Sequence, residues 1–165
     1  MRAKRLLKHL CTPHWIVSRA FPRATLTRLE RAIRDSEQSH DGELRFAVEA
    51  GLHWLPLWKG LGPRQRARQV FSQLGVWDTE QNSGVLIYVQ LVDRRIEIVA
   101  DRGISAKVHQ ESWDAICRRM EEEFRAGRFE EGALHGIEAI TALLARHFPP
   151  TGSNPDELPN RPVVL

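Results

Sequence analysis

The stretch Gly75–Ile104, GVWDTEQNSGVLIYVQLVDRRIEIVADRGI, decides the fold. Its segment GVLIYVQL (84–91) is almost continuously apolar, which marks a central strand covered on both faces. RIEIVAD (95–101) alternates, with Ile96, Ile98 and Ala100 on one side against Glu97 and Val99 on the other. The short VDRR connection joins the two runs into a β-hairpin. A hairpin reverses the chain, so WDTEQNSG before the first strand and ADRG after the second meet at one edge of the sheet.

Upstream, ATLTRLERAIRDSEQSH places Leu26, Leu29, Ala32 and Ile33 on one helical face, and His40-Asp41-Gly42 ends that helix. GELRFAVEA alternates Leu44, Phe46 and Val48 against Glu43, Arg45, Ala47 and Glu49, the pattern of a half-buried strand. PRQRARQVFSQLG opens on Pro63 and closes on Gly75, with Ala67, Val70, Phe71 and Leu74 facing inward. The strand–helix–strand step from 43–50 to 84–91 then requires a parallel, right-handed crossover. Downstream, Trp113, Ile116, Cys117, Met120 and Phe124 recur at helical spacing up to Gly127. Ala133, Ile137, Ile140, Leu144 and Phe148 do the same up to Pro149. The fold class is therefore α/β: a three-layer α/β/α sandwich on a small mixed sheet, with a parallel crossover, a hairpin and helices on both faces.

Three parts are expected along the 165 residues: a basic arm (1–23), the domain (24–149) and a disordered Pro-rich tail (150–165). The composition, 42% hydrophobic and 27% charged, is that of a globular chain with a real core. No apolar run is long enough for a transmembrane segment, and Lys8, His9 and Pro13 interrupt the leucines near the start. A cytoplasmic location, at most peripheral to the membrane, is expected. Cys11 and Cys117 lack a partner motif and read as reduced thiols.

The net charge of +3 conceals an asymmetry. Residues 1–34 hold nine Lys/Arg against one acid, Glu30, whereas the remainder holds 15 basic and 20 acidic residues. The arm either folds back on the body or meets a protein partner or an anionic membrane surface. RAKRLLKHL is too short for a stable isolated helix and needs such a surface. Arg5, Lys8 and Trp15, with Trp54 and Trp58 in the loop GLHWLPLWKGLG, are the candidate partner-binding residues, and Phe21 is a second anchor for the arm. Trp77 and Trp113 read as packing residues. No nucleic-acid motif is present and no nucleic acid is expected as a partner.

The hairpin edge supplies the candidate chemistry. Asp78, Glu80, Asn82 and Asp101 are hard oxygen donors at a density that suits Ca²⁺ or Mg²⁺, with Arg102 placed for a phosphate oxygen. The competing reading makes them turn and cap residues, with Asn82 left-handed. The spacing is not that of an EF-hand, because Gly84 is one place late and Val89 stands where the bidentate Glu belongs. The seven histidines show no His-x-x-x-His spacing, and no nucleophile elbow or P-loop appears. An anion at the helix start after KGLG, beside Arg64 and Arg66, is a further candidate.

Several of these pieces together resemble the TPM domain family. They are the entry Asn82-x-Gly84-Val85-Leu86, the acidic exit Asp101 to Gly103, and the Phe-x-x-Gly-x-Phe-x-x-Gly spacing of Phe124, Gly127, Phe129 and Gly132. The resemblance covers residues 24–149. It implies a compact α/β/α sandwich, calcium in loops at one end of the sheet as in some bacterial relatives, and the acid phosphatase activity associated with photosynthetic relatives. The expected function is a non-enzymatic accessory or interaction domain, ordered by a divalent cation at the acidic loop edge. A metal-dependent acid phosphatase-like hydrolase and a membrane-surface binding module acting through the arm are the alternatives.

Overall fold

The computed structural model describes residues 15–51, 61–152 and 156–165. In chain order the elements are α1 (Trp15–Ala20), α2 (Arg23–Ser36), β1 (Glu43–Glu49), α3 (Pro63–Gln73), β2 (Gly84–Gln90) and β3 (Arg95–Ala100). Then come α4 (Arg102–Ser105), α5 (Gln110–Arg125), α6 (Phe129–His147) and β4 (Val163–Val164). The four strands form one mixed sheet in the order β3-β2-β1-β4. β1 runs parallel to β2 from Glu43↔Gly84 to Glu49↔Gln90, and β2 pairs antiparallel with β3 from Val85↔Ala100 to Gln90↔Arg95. The expected crossover and hairpin are both present.

The pleat sorts the side chains into two cores. Leu44, Phe46, Val48, Val85, Ile87, Val89, Ile96 and Ile98 pack against α1, α2, α5 and α6. On the other face Ala47, Leu86, Tyr88 and Val99 pack against Ala67, Val70 and Phe71 of α3, with Val76 and Leu158. Among the described residues no helix is long and apolar enough to cross a membrane.

Four expectations need correction. The strand at 43–49 is buried along its whole length, not half-buried, because α3 and the C-terminal segment cover its second face. That segment is not a disordered tail over 156–165. Val163 and Val164 pair with Ala47 and Val48, Leu165 N–H donates to Val48 O at 2.9 Å, and Leu158 is buried. Proline lacks the donor that an interior strand needs, but beside a two-residue edge strand Pro162 sacrifices no ladder bond. The arm does not end at residue 23, since Val17 and Phe21 enter the larger core and Phe21 is 1% exposed. Its ring meets Phe46, Phe124 and Phe129 edge-on at 5.6, 5.9 and 6.0 Å between centroids. Finally, Trp77 is 54% exposed and does not pack, whereas Trp113 is buried as expected.

Candidate metal centre

The start of β2 and the end of β3 share one end of the sheet, as the hairpin requires. Asp101 N–H donates to Gly84 O at 2.8 Å, and Gly103 N–H donates to Asn82 O at 3.2 Å. The two glycines permit this crossing. A Cβ on Gly84 would be driven into the Val76 carbonyl, and one on Gly103 would lie 2.6 Å from Asn82 O and 2.7 Å from Gln81 O. Asn82 adopts φ +52°, the left-handed conformation that asparagine tolerates.

The expected ligands do not converge there. Asp78 and Glu80 are exposed. Asp78 N–H closes a turn onto Gly75 O, and Glu80 N–H donates to Glu157 Oε1 at 2.9 Å. Asn82 Oδ1 accepts from Arg102 Nε at 2.8 Å, so Arg102 is tied to a neighbour rather than held ready for phosphate. Asp101 Oδ1 accepts from Arg102 N–H at 2.7 Å as the N-cap of α4, while its Oδ2 is buried without a partner. These residues mainly build the turn and the cap.

A different set converges at the same end of the sheet. One carboxylate oxygen each from Glu37, Glu43 and Asp156 lies within 4.8 Å of the others. Glu37 is the C-cap of α2, Glu43 is the first residue of β1, and Asp156 comes from the C-terminal segment. The backbone N–H of Glu43 is fixed on Ser83 O at 3.0 Å, which ties the cluster to the entry of β2. Glu43 is fully buried. Its Oε2 accepts from Leu158 N–H at 3.1 Å, and its Oε1 has no partner; Glu37 Oε1 is likewise buried and unpartnered.

Removing carboxylates from water disfavours their charged form, and like charges nearby add to this. Burial, then the charges of Glu43 and Asp156, push the Glu37 carboxyl up to about 8, against the pull of an Asn160 hydrogen bond. Burial also raises Glu43, opposed by the backbone N–H groups of Leu158 and Glu157. Three carboxylates with two orphaned buried oxygens require either protons or a cation. An all-oxygen donor set of this charge fits a hard divalent ion such as Ca²⁺ or Mg²⁺. Sequence reasoning missed all three residues. Glu37 read as a helix end, Glu43 as the wet side of a strand, and Asp156 as tail.

Several other buried polar groups are committed elsewhere. Glu49 takes Arg66 in a forked ion pair (Nε at 3.2 and 3.1 Å, Nη2 at 2.8 Å) and accepts from the Tyr88 hydroxyl. Arg64 bonds Ile98 O and lies 3.5 Å from Glu97, so neither arginine at the start of α3 is left to hold an anion. Burial pushes the Cys117 thiol up to about 12, which removes it as a nucleophile. Burial holds His40 below its ordinary value, neutral, with Nδ1 accepting from Gly42 N–H at 3.2 Å. Of the expected partner-binding residues, Trp15 is 58% exposed at the start of α1. Arg5, Lys8, Trp54 and Trp58 lie outside the described residues.

Comparison with known proteins agrees with this architecture. No curated protein sequence matches the chain. The chain is similar to the BA42 protein of the psychrophilic bacterium Bizionia argentinensis, known from an NMR structure. The two are 32% identical with a TM-score of 0.76, over 86% of this chain and 93% of that one. The N-terminal domain of a P. gingivalis protein, also solved by NMR, shares the fold at a TM-score of 0.57 and 22% identity, over 83% and 92% of the two chains. The family model of the TPM domain matches residues 18–143, a span that takes in Glu37, Glu43, Asn82 and Asp101 and stops short of Asp156. With most of its length matched and its mixed sheet and helical layers in place, the chain belongs to the TPM domain family.

Proposed function

We propose that this TPM domain is a non-enzymatic accessory module that binds a divalent cation, Ca²⁺ or Mg²⁺, through Glu37, Glu43 and Asp156. The observation that carries the reading is Glu43 Oε1, fully buried, unpartnered and set in a group with two further carboxylates. An unsatisfied buried carboxylate oxygen is costly unless it finds a proton or a metal. The cation would draw together the end of α2, the start of β1 and the C-terminal segment. Its effect would be to order that end of the sheet. The hydrolase alternative has less support, because Arg102 is occupied by Asn82 and the Cys117 thiol is unreactive.

Thermal unfolding in EDTA, and then in excess Ca²⁺ or Mg²⁺, tests this. An ion at a hundred times its dissociation constant stabilises by about 2.7 kcal/mol, which is roughly 5–10 °C for a domain of this size. The shift is expected in the wild type and not in Glu43→Gln. No shift with either ion in a folded wild type would refute the cation reading.

A further inference from the structure

The two neighbours of β1 in the sheet are unequal. β2 pairs with it from Glu43 to Glu49, whereas β4 pairs only at Ala47 and Val48. Two residues fall below the usual range of strand lengths. Pro162 keeps β4 from growing toward the start of β1, because it has no N–H to add to the ladder. The cover on this edge is therefore held by few backbone bonds.

The cover also fails to match the charge beneath it. Strand alternation puts Arg45 on the α3 face of β1 with Ala47. Val163, the partner of Ala47, packs into the core on that same face. Arg45 is 6% exposed and has no ion-pair partner among the described residues. Counted back two places from Ala47↔Val163, the parallel register sets Arg161 opposite Arg45. Arg161 answers it only with its backbone, whose carbonyl accepts from Arg45 Nη1 at a long 3.4 Å, while its own cationic side chain is exposed. Nε of Arg45 is buried with no partner. A buried cation without counter-charge is costly. Directly opposite positions on one face of a sheet favour unlike charges and penalise like ones. The position facing Arg45 thus calls for a carboxylate, and this chain supplies an arginine.

We propose that the edge of β1 accepts an extended segment of a partner protein by parallel strand addition, and that residues 161–165 are an intramolecular stand-in for it. The partner segment carries Asp or Glu two positions before a pair of β-branched residues. Its backbone takes the place of Val163 and Val164, and its carboxylate forms the ion pair that Arg45 lacks. Backbone pairing gives such a complex its affinity, and the side chains give it selectivity. A guanidinium and a carboxylate can pair through two parallel hydrogen bonds, which fixes the register as well. The reading does not depend on a cation at Glu37, Glu43 and Asp156.

Fluorescence anisotropy of the full chain in EDTA tests this with two labelled peptides. One is PNRPVVL, residues 159–165, and the other is the same peptide with Arg161→Glu. The acidic peptide is expected to saturate and to bind about tenfold or more tightly than its parent, the scale of one charge-assisted contact. Arg45→Met in the chain should bind both peptides equally and unfold at the same or a higher temperature. Leu165→Pro removes the N–H that Val48 O accepts, loosens the cover, and should tighten the acidic peptide several-fold. Arg161→Glu in the chain itself should raise the melting temperature and weaken capture of the peptide, and should raise nothing in an Arg45→Met background. Four results would each overturn the proposal. They are no saturable binding of the acidic peptide even by Leu165→Pro, equal affinity of the wild type for the two peptides, a charge preference that survives Arg45→Met, and binding that Leu165→Pro leaves unaltered.

Discussion

The backbone N–H of Leu158 donates to Oε2 of Glu43 at 3.1 Å across 115 positions of sequence. This bond fastens the C-terminal segment to the first residue of the parallel pair and brings Asp156 to Glu37. Glu43→Gln keeps an amide oxygen for Leu158 and removes a buried charge. In EDTA above neutral pH the variant is expected to melt at or above the wild-type temperature. In Ca²⁺ or Mg²⁺ the order should reverse. Calorimetric melting in the two conditions measures both halves.

The Glu37 carboxyl, held at about 8 in the fold and near its ordinary value when unfolded, gives a signed pH dependence. The folded state keeps the proton between those values while the unfolded chain has lost it, so this contribution is complete in acid, is lost progressively as pH rises between them, and is gone above about 8. His40 acts in the opposite sense. Its folded value is lowered, so the unfolded chain takes up a proton first and stability falls as pH drops below the ordinary histidine value. Urea unfolding in EDTA should therefore give a wild-type curve that falls between the ordinary histidine value and about 8 and levels off above it. Glu37→Gln should remove that fall and leave the loss of stability below the ordinary histidine value, which His40 causes, unopposed. Cation affinity should also tighten as pH rises toward 8, with a proton released on binding.

At the opposite ends of β1 and β2, Glu49, Arg66 and Tyr88 form a closed network. Removing one partner leaves the other buried and unmatched. Glu49→Gln should cost about 3 kcal/mol, and Tyr88→Phe about 1 kcal/mol. Urea denaturation midpoints, read at constant slope, check both values.

Phe21 tests where the domain begins. It is the ring that joins Phe46 of the sheet to Phe124 and Phe129 of the helical pair. Phe21→Ala should destabilise by about 3–5 kcal/mol. A chain starting at residue 24 should show a comparable loss in chemical denaturation. Trp15→Ala, on an exposed side chain, should change the midpoint little.

Gly84, at the start of β2, and Gly103, in α4, are sites where the loop after α3 presses close. Gly103→Ala must displace two carbonyl oxygens at 2.6 and 2.7 Å and should cost about 1–3 kcal/mol. Gly84→Ala, aimed at the Val76 carbonyl, should cost at least as much. Paired melting curves rank the two.

The hairpin and the crossover were legible because period-2 alternation and apolar runs report directly on pleat and burial, as Ile96, Ile98 and Val85 to Val89 demonstrate. The same alternation separated Glu43, Arg45 and Glu49 from Leu44, Phe46 and Val48. It could not tell water from a second layer, so three buried charged residues passed for a wet face. The acidic edge was placed at the end of the sheet where carboxylates gather, but the residues expected there are not the three whose oxygens lie within 4.8 Å of one another. Asp78 and Glu80 are two positions apart in sequence and exposed. Glu37 and Asp156 are separated by most of the chain, and only the fold brings them together. Pro-rich composition hid the final segment because docking to a strand edge costs a proline nothing that composition records.

The two-residue strand β4 carries a consequence for association between molecules. β1 would otherwise present a straight, apolar row of unpaired backbone donors and acceptors at Ala47 and Val48, the template on which a second chain adds. Val163 and Val164 occupy that row and stop after two pairs, and the sequence on their N-terminal side holds Pro159 and Pro162, which donate no hydrogen bonds. Loss of residues 163–165 would thus remove more than two strand pairs. It would uncover a β-sheet edge, and the truncated chain would aggregate by strand addition while its individual domain still folded.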